Sequence, residues 1–157
     1  MSAADTIPDP RSRLFPPAVY LVATLLGVVL QRLWPLGLVR PPVGRWIGAV
    51  LIAGWPVLAA PAIREFRRAG TTVMPTGDVS AFVTSGPFRF TRNPMYLGLA
   101  LLQAGVAFVL GNAWVLIFVP FSIVVIDRFV IAGEERYLEA KYGADYAAYR
   151  TRVRRWL

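Results

Sequence analysis

Residues 94–126 contain no charged side chain, an uncharged run of 33 residues. About 20 apolar residues suffice to cross the hydrocarbon core of a bilayer, so the run is too long for one crossing. Gly111-Asn112 is the only turn signal inside it, which predicts a helical hairpin with arms at about 94–110 and 113–132. Upstream, residues 46–63 are also uncharged and contain Pro56 and Pro61. Residues 17–34 form a further apolar stretch with Gln31 and Arg32 near its far end. The chain is 56% hydrophobic, against roughly 45–50% for soluble domains even with glycine counted. The expected fold is therefore an all-α integral membrane domain of about four transmembrane helices followed by an amphipathic C-terminal helix. A buried soluble bundle accounts for neither the long uncharged runs nor the charge pattern.

The basic residues orient these spans. With four crossings, fourteen of the seventeen Lys and Arg residues share one side, including the five at Arg64, Arg67, Arg68, Arg89 and Arg92. The opposite side has only Arg32, Arg40 and Arg45. By the positive-inside rule both termini are expected in the cytoplasm. A net charge of +8 on so apolar a chain points to anionic lipid headgroups before nucleic acid. Residues 1–13 are polar and proline-broken, without the order of a signal peptide, and read as a disordered arm. Residues 14–157 then form a single membrane domain.

Absences narrow the chemistry. There is no cysteine and no histidine, so thiol nucleophiles, imidazole bases and the commonest metal ligands are excluded. No metal is expected. The span interiors offer little polarity beyond Thr24, Gln103 and Ser122, which argues against a transport path at the bilayer midplane. Chemistry must lie in residues 64–96 and 127–157.

The first candidate stretch is TSGPFRFTRNPMYLG, residues 84–98. Gly86-Pro87 makes a turn, Asn93 is a good N-cap, and Pro94 suits the first helical position. A helix start beside Arg92 is an anion site in waiting, because its first N–H groups lack helical partners. Tyr96 lies on the first turn, and Gly98 allows another group to approach the backbone. The second stretch is residues 133–157. Leu138, Tyr142, Tyr146, Tyr149, Val153 and Trp156 recur at helical spacing and mark one amphipathic face, with Gly143 as a potential break. Arg128 and Glu135, seven apart, share a helix face, and Asp127 and Glu134 share the neighbouring one. The adjacent carboxylates of Glu134 and Glu135 repel each other unless they meet a cation or hydrogen-bond donors.

Taken in order, Gly70 to Gly77, Phe82 to Arg89, Arg92-Asn93-Pro94-Met95-Tyr96-Leu97-Gly98 and Glu134-Glu135 through Trp156 resemble the isoprenylcysteine carboxyl methyltransferase and phospholipid methyltransferase superfamily. The resemblance covers about residues 64–157 and implies a bacterial membrane methyltransferase that uses S-adenosylmethionine. With no glycine-rich dinucleotide fingerprint, helix ends and loops must hold the cofactor. Methyl displacement needs alignment and exclusion of water more than a strong acid or base. The resemblance implies Arg92, Asn93, Tyr96, Gly98, Glu134 and Glu135 as cofactor-binding residues, with Glu135 and Arg128 as catalytic candidates. Arg92 and the N–H groups after Asn93 take the cofactor carboxylate. The glutamates take its ribose or amino group, and Tyr96 lies against the adenine or sulfonium. Arg128 orients an anionic acceptor or the cofactor carboxylate. The family often has histidine where Asn93 stands, so a titrating group is lost there while binding capacity is kept. The acceptor is lipophilic: a prenylated cysteine carboxylate, a phospholipid amine, a thiol or a phenol. The preference for arginine over lysine suggests a GC-rich bacterium, where a prenylated protein end is a poor candidate. Two other readings compete: an NADPH-dependent reductase resembling sterol reductases, on the tail KYGADYAAYRTRV, and a non-enzymatic membrane scaffold.

Overall fold

The computed structural model describes residues 14–39, 42–71 and 82–157. The N-terminal arm and most of the Gly70–Gly77 motif lie outside the described residues. Five helices follow in order: α1, Pro16–Leu33; α2, Val43–Arg68; α3, Pro94–Leu110; α4, Ala113–Ile126; and α5, Ala132–Arg152. A short 3-10 turn, Gly86–Arg89, precedes α3, and a π-helical turn, Asp127–Ile131, joins α4 to α5. No β-strand occurs among the described residues beyond an isolated bridge between Gly37 and Asn112. The all-α membrane fold read from the sequence is therefore observed.

α1, α2 and the α4–α5 rod are each long and apolar enough to cross a bilayer. At about 1.5 Å per residue α2 spans about 39 Å, and α3, the shorter arm of the hairpin, about 25 Å. α2 starts earlier and ends later than its uncharged core, and Pro56 and Pro61 are accommodated inside it. The helical stretch Ala113–Arg152 is 40 residues long and kinked at Gly143, too much for one crossing, so its apolar α4 part is the fourth span and α5 emerges beyond it. The molecule is an integral membrane protein.

Lipid offers little hydrophobic drive between helices, so close backbone approach decides which helices pair. α2 and α3 form the most extensive helix pair. Gly48 and Gly105 make that contact possible: a Cβ on Gly48 would lie 2.6 Å from the Gly105 carbonyl oxygen. α1 packs on α4 and more lightly on α3. At the hairpin end, Asn112 caps α4 by accepting from the Val115 N–H at 3.2 Å. Its amide also donates to the Gly27 carbonyl at 3.2 Å, tying the turn to α1.

At the opposite end the chain departs from simple helical geometry twice. The π-helical turn inserts extra residues into the helical winding just before Glu134 and Glu135. Gly143, at φ 48° and ψ −119°, breaks α5, which a residue without a Cβ does at least cost. Beyond that kink Tyr146, Tyr149 and Val153 pack with Phe82, Leu138 and Tyr142. Trp156 does not continue that face. The helix ends at Arg152 and Val153 is extended, so Trp156 turns into the bundle beside Ile126, Val130 and Ile131.

Candidate functional site

A cavity of about 500 Å³ opens at the end of the bundle where α2 ends and α3 begins. Its apolar wall comes from the start of α1, from Trp55, Ala59, Ile63 and Phe66 of α2, and from Leu99 of α3. Its polar wall comes from Arg92, Asn93, Tyr96, Glu134 and Glu135. The helical hairpin thus carries the two glutamates back to the entrance of α3, where the sequence motifs had no local reason to meet.

The two adjacent carboxylates are treated differently. Glu135 is buried and pairs with Arg92 Nη2 at 2.9 Å. It also accepts from Arg155, whose Nε donates to Oε1 at 3.1 Å and whose Nη2 donates to Oε2. Arg155 continues to Asp127, with Nη1 donating to Oδ1 at 3.1 Å and Oδ2 at 3.0 Å. Its hydrogen bond with Glu135 raises the guanidinium above its ordinary range. Glu134 meets no cation among the described residues; its Oε1 accepts from the Tyr96 hydroxyl at 2.7 Å. Burial pushes the Glu134 carboxyl above the usual carboxylate range, opposed by the Tyr96 hydrogen bond and reinforced by the Glu135 charge.

Arg92 is held from several directions. Its backbone N–H donates to the Arg154 carbonyl at 3.0 Å, and its side chain is only 11% exposed. Its Nε is buried without a hydrogen-bond partner. A buried donor left unmade costs about 1–3 kcal/mol, and the Arg92 side chain as a whole contributes to the cavity wall. Asn93 stands at the N-cap position of α3, but its side chain makes no capping bond. Its amide instead donates to the Arg155 carbonyl at 3.0 Å, and Thr91 Oγ1 donates to the same oxygen at 3.1 Å. The C-terminal segment is the competing partner that sequence spacing did not show. Tyr149 closes the far side, donating to the Phe88 carbonyl at 2.7 Å; burial pushes its phenol up to about 12.

Gly98 does not line the cavity. It is buried where α3 crosses α2, and a Cβ there would lie 3.0 Å from Trp55 Cδ1. The group it lets approach is a neighbouring helix. Arg128 is exposed and also stands outside the cavity. The expected α-helical pairing of residues 128 and 135 is shifted by the π-helical turn, which brings Asp127 rather than Arg128 toward Glu135 through Arg155. Arg155 is the residue missed by sequence reasoning. Nothing in the run Arg154-Arg155-Trp156 signals an inward side chain, and only the fold turns Arg155 toward Glu135 and Asp127.

The cavity fits an S-adenosylmethionine-like group on its own chemistry. It has the Arg92 guanidinium in its polar wall, a carboxyl group at Glu134 with no ion-pair partner among the described residues, and aromatic walls. Among the described residues no cluster of His, Cys, Asp or Glu is arranged to hold a metal.

The comparisons agree with this architecture. The sequence matches the phospholipid methyltransferase family over residues 43–145, from the start of α2 into α5. An uncharacterized protein of Haemophilus influenzae is 46% identical over 63 residues, which are 40% of this chain and the whole of that protein. No solved structure matches the chain. The match spans the α2 and α3 part of the apolar wall and Arg92, Asn93, Tyr96, Glu134 and Glu135 of the polar wall, and the chain belongs to the phospholipid methyltransferase family, within the isoprenylcysteine and phospholipid methyltransferase group.

Proposed function

We propose that the chain is an S-adenosylmethionine-dependent methyltransferase acting on a lipophilic acceptor at the cytoplasmic face of a bacterial inner membrane, with residues 14–157 forming one catalytic domain. The observation that carries this is the arrangement of Arg92, Tyr96, Glu134 and Glu135 around one cavity in a member of a methyltransferase family. When bound, the cofactor supplies an activated methyl group on a sulfonium. Arg92 binds its carboxylate, and Glu135 with Arg155 holds the Arg92 guanidinium in place. Glu134, steadied by Tyr96, faces the positive end. The walls from α1 and α2 exclude water, which strengthens these charge contacts. Arg128 and Gly98 have no direct part in binding; Gly98 seats α3 against Trp55.

Purified protein in detergent is expected to bind S-adenosylmethionine and its demethylated product by calorimetry, and not NADPH. Binding of NADPH alone would favour the reductase reading, and binding of neither would favour a scaffold. Transfer of a labelled methyl group to a membrane lipid extract, with products identified by mass, then tests the reaction itself.

A further inference from the structure

α1 lies before residues 43–145, the part of the chain that matches the family, yet it reaches the polar wall of the cavity. Most of α1 faces outward; its buried residues are Pro16, Tyr20 and Gly27. Pro16 lines the cavity. Tyr20 stands one helical turn further along, about 6 Å deeper, behind the wall and only 4% exposed. A phenol hydroxyl in an apolar span is costly without a partner. The Tyr20 hydroxyl finds one on another helix, donating to the Tyr96 backbone carbonyl at 3.3 Å. That carbonyl belongs to the first turn of α3. Its oxygen has two lone pairs, so it can accept from Tyr20 and from the α-helical N–H four residues on together.

Tyr20 meets both halves of the Tyr96–Glu134 pair. On one side its hydrogen bond fixes the turn that carries Tyr96, whose own hydroxyl reaches Glu134 Oε1 at 2.7 Å. On the other side its ring shares one buried cluster with Ile126, Val130 and Ile131. Val130 and Ile131 close the π-helical turn, and Ile131 lies three residues before Glu134. Both are fully buried, and close-packed neighbours transmit a displacement instead of absorbing it. Tyr20 is not part of the cavity wall, so its influence on a ligand passes through the residues it holds.

Resting on the methyltransferase reading, we propose that Tyr20 is a positioning residue of the cofactor site. It holds the first turn of α3 against the π-helical turn so that the Tyr96 hydroxyl stays bonded to Glu134, and α1 is thereby a working part of the site and not only an anchor. The consequence is read at Glu134. Among the described residues, the titratable and charged groups that share its cavity are Arg92 and Tyr96 at the entrance of α3, Glu135 and Tyr137 on its own helix, and Tyr146 and Tyr149 beyond the Gly143 kink. Arg155 and Asp127 stand behind Glu135, and α1 adds Tyr20 through Tyr96. The Tyr96 hydrogen bond favours the ionised form of Glu134. Loosening Tyr96 therefore moves the ionisation of Glu134 to higher pH.

A double-mutant cycle on the purified full chain tests this. Calorimetry follows S-adenosylmethionine binding across pH for the wild type, Tyr20→Phe, Tyr96→Phe and the double variant. Tyr20→Phe deletes the hydroxyl and keeps the ring in its cluster. It is expected to weaken binding near neutral pH by about two- to tenfold, the scale of one neutral hydrogen bond, and to move the rise of affinity to higher pH. In the Tyr96→Phe background the same substitution is expected to change affinity by less than about twofold and to leave the pH midpoint where it is, because residues acting in one chain are not additive. The unfolding midpoint, measured alongside, reads any loss of fold, which the displacement in pH does not depend on. An additive loss in the double variant, or an unmoved pH midpoint in Tyr20→Phe, would overturn the proposal while leaving the methyltransferase reading intact. Failure of the wild-type protein to bind S-adenosylmethionine would overturn both.

Discussion

The guanidinium of Arg155 faces Glu135 edge-on, with Nε 3.1 Å from Oε1 and Nη2 bonded to Oε2, so that the C-terminal segment is locked onto the first turn of α5. The remaining nitrogen, Nη1, takes Asp127. The Arg155 carbonyl meanwhile receives Asn93 and Thr91 from the entrance of α3. One residue thus joins three parts of the chain that surround the cavity.

Arg155→Gln should therefore destabilise the fold, since it leaves Asp127 with only the Trp156 indole N–H and Glu135 with only Arg92. A partly buried network of this kind is worth on the order of 2–3 kcal/mol after discounting for the exposure of Arg155. Thermal unfolding in detergent should show a lowered midpoint, and Arg155→Lys should recover only part of it because an ammonium cannot fork between two carboxylates. An unchanged midpoint for the glutamine variant would show that the strap contributes nothing to stability.

Arg92→Ala and Glu135→Gln should each weaken S-adenosylmethionine binding by about tenfold or more, the scale of one charge-assisted hydrogen bond. The protein should stay folded, because Glu135 keeps Arg155 in the first variant and a side-chain oxygen remains in the second. Calorimetry on both variants checks this. Unchanged affinity in both would remove Arg92 and Glu135 from the binding site.

The pH response of cofactor binding follows from Glu134. Its carboxyl lies above the usual carboxylate range, and a cationic ligand prefers the ionised form. Affinity should rise with pH as Glu134 loses its proton, and it should fall as pH drops back through that range. Tyr96→Phe removes the hydrogen bond that stabilises the carboxylate, so the rise should move to higher pH. Calorimetric titration across pH, with Glu134→Gln as the flat control, measures the displacement. A shift to lower pH in the phenylalanine variant would contradict this geometry.

The α2–α3 crossing should not tolerate bulk. A Cβ on Gly105 would sit 2.7 Å from Ile52 Cγ1 and 2.8 Å from the Gly48 carbonyl oxygen. Gly105→Val should cost about 1–3 kcal/mol by overpacking and reduce the yield of folded protein. Size-exclusion profiles in detergent and unfolding midpoints would reveal it, whereas Gly37→Val, where nothing lies within 4 Å, serves as the tolerant comparison.

Orientation is open to a clean test because the chain has no cysteine. Single cysteines at Arg89 and Arg154 should react with an impermeant thiol reagent only from the cytoplasmic side. Cysteines at Gly37 and Gly111 should react only from the other side. Labelling of all four from one side would refute the four-span topology.

Much of the architecture was legible in the residues alone. The uncharged run over 94–126 required a hairpin, Gly111-Asn112 located its turn, and the arm at Pro94–Leu110 begins and ends where the sequence placed it. Those features are local: solvent, hydrogen bonding and backbone geometry decide them within a few residues. Which charges meet is not local. The sequence determined that Glu134 and Glu135 needed a cation or donors, but the tertiary structure decided that Arg92 and Arg155 serve Glu135 while Tyr96 serves Glu134. The π-helical turn at Asp127–Ile131 altered the helical register and left Arg128 outside the cavity. The extended backbone at Val153 turned Arg155 and Trp156 inward. In each case the outcome depends on how distant segments compete for the same few buried partners, and spacing along one helix carries no information about that competition.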